Sequence, residues 1–262
     1  MSDSRPDGPG ADDLLDAGSD AGADASASAG AGADAGADGV VFEDVEYRLA
    51  VVDLLGAIAY GELSAFERLT DDAKLAPTVR DRVEMSRMAT HEFGHLARLH
   101  QRIRQLGADP FEAMAPFQAP LDLFHVHTAP ADWYEGLVKA FVGDGLAADF
   151  YREIAAYVDA GTRDLIIASL EDSGQADFAV RHIRQAIEDD PKVGGRLALW
   201  GRRLMGEALT QAQRVAAERD ALSALLAGGI DRPGLDLAAI GRMFTRITER
   251  HNERMAELGL SA

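Results

Sequence analysis

Residues 90–96 read Thr-His-Glu-Phe-Gly-His-Leu, and two chemistries can be written on them. As H-E-x-x-H, His91 and His95 stand one helical turn apart as zinc ligands, with Glu92 as the general base of a hydrolase. As E-x-x-H, Glu92 and His95 supply one half of a carboxylate-rich two-metal site. The zinc reading needs a third ligand, and the extended peptidase pattern fails, since Arg98 and Gln101 stand where glycine and histidine are required.

Either chemistry needs elements that hold the donors, and composition limits what those donors are. The 262 residues contain no cysteine. Thiolate metal sites, iron–sulfur clusters, disulfides and cysteine nucleophiles are thereby excluded, so any metal is held by carboxylate, imidazole or amide groups. No apolar run reaches the roughly 18 residues of a membrane span, and no basic-then-apolar signal opens the chain. A cytoplasmic protein without membrane contact is expected.

The formal charge is −18. Residues 1–39 hold nine Asp against Arg5, a local −8, which leaves −10 for the other 223 residues. This first stretch repeats Ala, Gly, Asp and Ser, with Leu14 and Leu15 almost its only large apolar residues. It cannot bury enough surface to offset its ordering entropy and is expected to be a disordered acidic tail. The acidic remainder repels phosphates at long range, so a nucleic-acid partner would need a local basic face such as Arg202-Arg203 or Arg80, Arg82 and Arg87.

From residue 40 to 262 the texture changes to amphipathic stretches with short breaks. They predict helices over Glu43–Leu69, Pro77–Leu106, Asp132–Val158, Thr162–Asp189, Lys192–Leu226 and Leu235–Leu258, with essentially no strand signal. Between the second and third lies Gly107–Pro130, containing Pro110, Pro116, Pro120 and Pro130, too long for a tight hairpin. Four main helices with one long crossover make an all-α, ferritin-like four-helix bundle spanning about residues 43–189, with additional C-terminal helices over about 192–258.

Projection at about 100° per residue shows where the polar groups fall. On the second helix Met85, Met88, Leu96, Leu99, Ile103 and Leu106 define the apolar stripe; Glu92 lies within about 10° of its centre, His95 about 60° to one side, and His91 about 100° away at its margin. That favours E-x-x-H. Glu62 is central among Val51, Val52, Leu55, Ile58, Ala59, Phe66 and Leu69 on the first helix, with Glu67 outward. On the third, Asp144 is the inward acid, and Glu135 and Asp149 are not. On the fourth, Asp172 is inward and Glu171 is off the stripe. Glu62 and Glu92 are 30 residues apart and Asp144 and Asp172 are 28, the distance to climb one helix and return at the same height. Four carboxylates converging in a core repel one another unless some protonate or cations lie between them, and two divalent ions answer that need. The zinc alternative would leave three of these acids without a role.

Tyr60-Gly61-Glu62-Leu63, His91-Glu92-Phe93-Gly94-His95 and the run from Arg196 to Arg203 resemble the ferritin-like superfamily and, within it, bacterial tRNA 2-methylthio-isopentenyladenosine hydroxylase-like proteins. The likeness covers about residues 43–225. It implies two iron (or manganese) ions, oxygen-dependent hydroxylation, an electron-donor partner and a tRNA substrate, the last opposed by the acidic charge. By resemblance Glu92 and Asp172 bridge the ions, Glu62, Asp144 and His95 are terminal ligands, and Gln175 stands where the family has histidine. Tyr151, His182, Glu207 and Gln211 are candidates for supporting roles around the ligands. The neutral amide of Gln175 is a weaker ligand than imidazole, so a non-catalytic interaction protein with a degenerate site is a third alternative. Association into a homo-oligomer is a further expectation from the superfamily.

Overall fold

The structure is a computed structural model that describes residues 44–170, 174–227 and 236–262. The expected tail over 1–39, Glu43 and Asp172 lie outside the described residues. Among the described residues the chain forms helices and no strand. They are α1 (Val45–Asp72, followed by a 3-10 turn at Ala73–Leu75), α2 (Val79–Gln105), α3 (Pro110–His127), α4 (Trp133–Ala155), α5 (Ala160–Ser169), α6 (Gln175–Asp189), α7 (Pro191–Glu218), α8 (Asp220–Ala227) and α9 (Leu237–Glu257).

Six aspartates among the described residues start helices. Asp44, Asp109, Asp132, Asp159, Asp190 and Asp236 each accept a hydrogen bond from a backbone N–H of the first turn they precede. Each such cap contributes about 1 kcal/mol and sets a carboxylate at the positive end of the helix dipole.

Three sequence expectations change. The crossover between α2 and α4 is itself largely helical: Asp109 caps α3, Pro110 occupies the first turn where no N–H is needed, and Pro116 and Pro120 lie within it. Packing overrides those two prolines. Phe117 is fully buried, and a methyl added at Gly56 of α1 would lie 2.1 Å from the Ala113 carbonyl oxygen, so the two helices touch backbone to backbone. The expected Thr162–Asp189 helix is two helices, with Gly174 at φ +88° entering α6. The expected fifth helix breaks at Arg219, which leaves α7 to bond Asp53 of α1 at 2.5 and 3.0 Å.

α1 packs on α2, α3 and α8, while α4 packs on α6, α7 and α9. The core falls into two apolar clusters: one holds Val51, Leu55 and Ile58 with Leu99, Ile103 and Ile166, the other Leu69 with Met85, Met88, Leu137 and Ile183. On α1 and α2 the inward acids fall where one cluster gives way to the other. The segment Val45–Leu75 is long and apolar enough by composition to cross a membrane, unlike the expectation from the sequence; most of that stretch is buried within the fold.

Candidate metal centre

α1 and α2 form the hairpin that the 30-residue spacing requires, and it brings Glu62, Glu92 and His95 together. One donor atom from each lies within 4.8 Å of the others. His95 Nδ1 is 3.2 Å from Glu62 Oε2, and both side chains are buried. His91 is exposed and meets the His95 ring edge-on, at 4.8 Å between centroids, and it stands outside the donor cluster. The second imidazole of the zinc reading is therefore absent from the buried donor set.

The electrostatics of the three are those of an acid pair held away from water. Burial foremost raises the Glu62 carboxyl to about 8, the nearby Asp144 adds to the rise, and a hydrogen bond with Glu92 opposes it. Burial thus favours the protonated form of the Glu62 carboxyl, which a divalent ion would replace. Oxygen and imidazole donors at this spacing suit iron, manganese or zinc rather than a soft ion.

Asp144 of α4 stands opposite, half-buried, and accepts a hydrogen bond from Nε2 of Gln175, the buried first residue of α6. Gln175 thus reaches the acid layer as its offset predicts, although its helix begins there instead of running through. Whether Asp172 joins them lies outside the described residues. Tyr151 lines the same cavity, its hydroxyl 2.9 Å from where a Gly61 Cβ would be, beside Glu62. Burial first, then the Glu62 and Asp144 carboxylates, raises its phenol well above the usual range.

Other expectations are displaced. His182 lies 3.3 Å from Asp81 and stacks on Phe178; Asp81 is 11 residues before Glu92 on α2, about 16 Å along the axis. Glu207 accepts hydrogen bonds from His127 and Gln211 at 2.7 and 2.8 Å, away from the acids. Glu135 and Asp149, read as outward, are buried because α7 and α9 cover the far side of α4. Asp149 binds Arg254 at 2.6 Å with Arg152 and Arg250 beside it, and Glu135 pairs with Arg196 at 2.5 Å.

From the acid layer a cavity of about 370 Å³ extends along α1 and α4 past apolar residues to Ser64, Asp72, His125 and Lys139. Sequence reasoning missed this far end. Its one sequence signal was a lone cation, Lys139, inside the otherwise apolar run from Leu137 to Val142.

The fold has a solved counterpart. Protein 19 with aldehyde deformylating oxidase activity, from Synechococcus, superposes with a TM-score of 0.64 at 24% identity, covering 84% of this chain and 94% of that one. No curated protein matches the sequence. A family model does, over residues 45–229, from the first residue of α1 to beyond α8. The chain therefore belongs to the ferritin-like domain family of actinomycetes.

Proposed function

We propose that this chain is a di-metal carboxylate oxygenase that takes two iron (or manganese) ions. Glu62, Glu92 and His95 would hold one ion, and Asp144, Gln175 and Asp172 would supply donors for the other. The convergence of Glu62, Glu92 and His95 within 4.8 Å carries the reading. When bound, two redox-active ions would supply reductive activation of dioxygen and insertion of an oxygen atom into a C–H bond, with electrons from an external donor. The counterpart from Synechococcus, with its oxidase activity, supports oxygen chemistry on this scaffold.

The protein's own groups have defined parts. Glu62, its carboxyl raised by burial, must give up its proton to bind a cation. Apolar residues on either side of Glu62 and His95 shield this pair from water, which strengthens the charge interactions between them. The tRNA expectation has less support. Arg196, Arg202 and Arg203 are engaged within the chain, on Asp132 and Glu135, on the Ser261 carbonyl and on the His127 carbonyl. A small substrate with an apolar body fits the cavity better.

Metal analysis of the purified protein tests the reading. About two Fe or Mn per chain are expected, as the paired carboxylate motif requires; a single zinc or no metal overturns it. One observation favours the non-catalytic alternative: the Gln175 amide already satisfies Asp144 by hydrogen bonding. That alternative predicts no metal in the wild type and none after Gln175→His.

A further inference from the structure

The cavity that begins at the acid layer ends at polar side chains of α1, α3 and α4 that the metal reading leaves unused. Ser64, Asp72 and Lys139 are 3%, 7% and 5% exposed, and all line the cavity with His125. Their hydrogen bonding is incomplete. Lys139 Nζ donates one bond, 2.8 Å long, to the Thr128 carbonyl and lies 5.6 Å from the Phe124 ring, which leaves two of its three N–H groups. Ser64 Oγ and His125 Nδ1 are buried with no partner. The Asp72 carboxyl rests against Gly136, where an added Cβ would stand 3.2 Å from Cγ. Asp72 and Lys139 feel each other's charge but close no ion pair. Burying such groups unjoined costs several kcal/mol, and each needs an account.

We propose that this cluster docks the head group of a small amphiphile, a neutral group that both accepts and donates hydrogen bonds, such as a carboxamide or a primary alcohol. A neutral head accepts from Lys139 and donates to Asp72, while Ser64 takes either role. An anionic head would face Asp72, and a cationic head would face Lys139 and Arg68. The alkyl portion runs along the apolar wall toward Glu62, ten residues before Asp72 on α1 and so about 15 Å along the axis. The carbon brought to the acid layer is therefore remote from the head. This last point rests on the di-metal reading; the head-group contacts do not.

Calorimetric titration of the purified full chain with octanamide and 1-octanol tests the subsite, with octanoate and octylammonium as charged counterparts and metal content measured on the same preparation. Octanamide is expected to bind about tenfold more tightly than either charged probe. Lys139→Met and Asp72→Asn should each weaken it about tenfold, the loss of one charge-assisted bond. Ser64→Ala, a smaller subtraction, should weaken it about threefold and serves if Lys139→Met does not fold. Tighter binding of a charged probe, binding of none of the four, or unchanged octanamide affinity in the folded variants overturns the proposal. Metal-free protein that binds octanamide through Lys139 sustains the subsite and defeats the di-metal reading. Metal-loaded protein whose octanamide affinity ignores Lys139 does the reverse.

Discussion

The two halves of the acid layer are built by different kinds of helix. Glu62, Glu92 and His95 lie in the interior of α1 and α2, 28 and 27 residues long, with apolar core on both sides of the acids. Asp144 is likewise inside α4, but its partner Gln175 is the first residue of α6, entered through a left-handed glycine. A donor inside a continuous helix has its height and direction fixed by packing above and below it. One at a helix start is fixed from one side only. The chemical asymmetry between imidazole and amide thus follows an architectural one, and the first half is the better organised to hold an ion.

Metal retention is the sharpest way to break that comparison. If Glu92 bridges the two ions, as the family resemblance implies, Glu92→Ala should strip the protein of metal, whereas Gln175→Ala should keep about one ion per chain by the ligand-count argument; elemental analysis after dialysis reads both, and equal losses would mean the halves are equivalent. The next effect concerns the support behind α4. His251 of α9 is 3% exposed, neither ring nitrogen has a partner, and burial, with Arg254 nearby, lowers it from 6.5 to about 4. An unfolded histidine binds its proton below about 6.5 while the folded one resists, so stability is retained above pH 6.5 and lost as pH falls toward 4. The loss should be about 3 kcal/mol, and His251→Phe should flatten that limb of a pH series of denaturant melts.

A smaller effect separates function from stability. In chelator-treated protein the double change Glu62→Leu with His95→Leu should raise stability by about 2 kcal/mol, since it replaces a buried polar pair with apolar side chains. A lower melting temperature would make the cluster a structural network instead of a binding site. The smallest change tests the break itself: Gly174→Ala should cost about 1 kcal/mol because alanine resists a positive φ. A neutral result in thermal melts would show that the α6 start is not constrained by its glycine.

The first half was legible in the sequence because α1 and α2 are uninterrupted, so rotation per residue and loop length together predict which side chains meet. The same arithmetic placed Asp144 and Gln175 in one layer. It failed for Glu135 and Asp149 because an apolar stripe reveals one buried face, and α4 has two once α7 and α9 cover its back. Arginines on those helices were the missing partners, 61 and 105 residues away in sequence for Arg196–Glu135 and Arg254–Asp149. α3 was overlooked because its prolines read as breakers, although Asp109-Pro110 is a good helix start. The Lys139–Asp72 end of the cavity was missed because, beyond the lone cation Lys139, no common helical face unites its residues.

The arginine clasp on Asp149 has a consequence for ion traffic. Asp149 lies five residues from Asp144 on the same helix, and Arg254 both bonds it and lies over Gly145, where an added Cβ would be 2.5 Å from Arg254 Cδ. A carboxylate already neutralised by guanidinium does not compete for a cation. The C-terminal helix therefore takes Asp149 out of the set of acids open to an ion. With Asp149 masked by arginine, the acid of α4 that lines the cavity is Asp144, held by the neutral Gln175 amide.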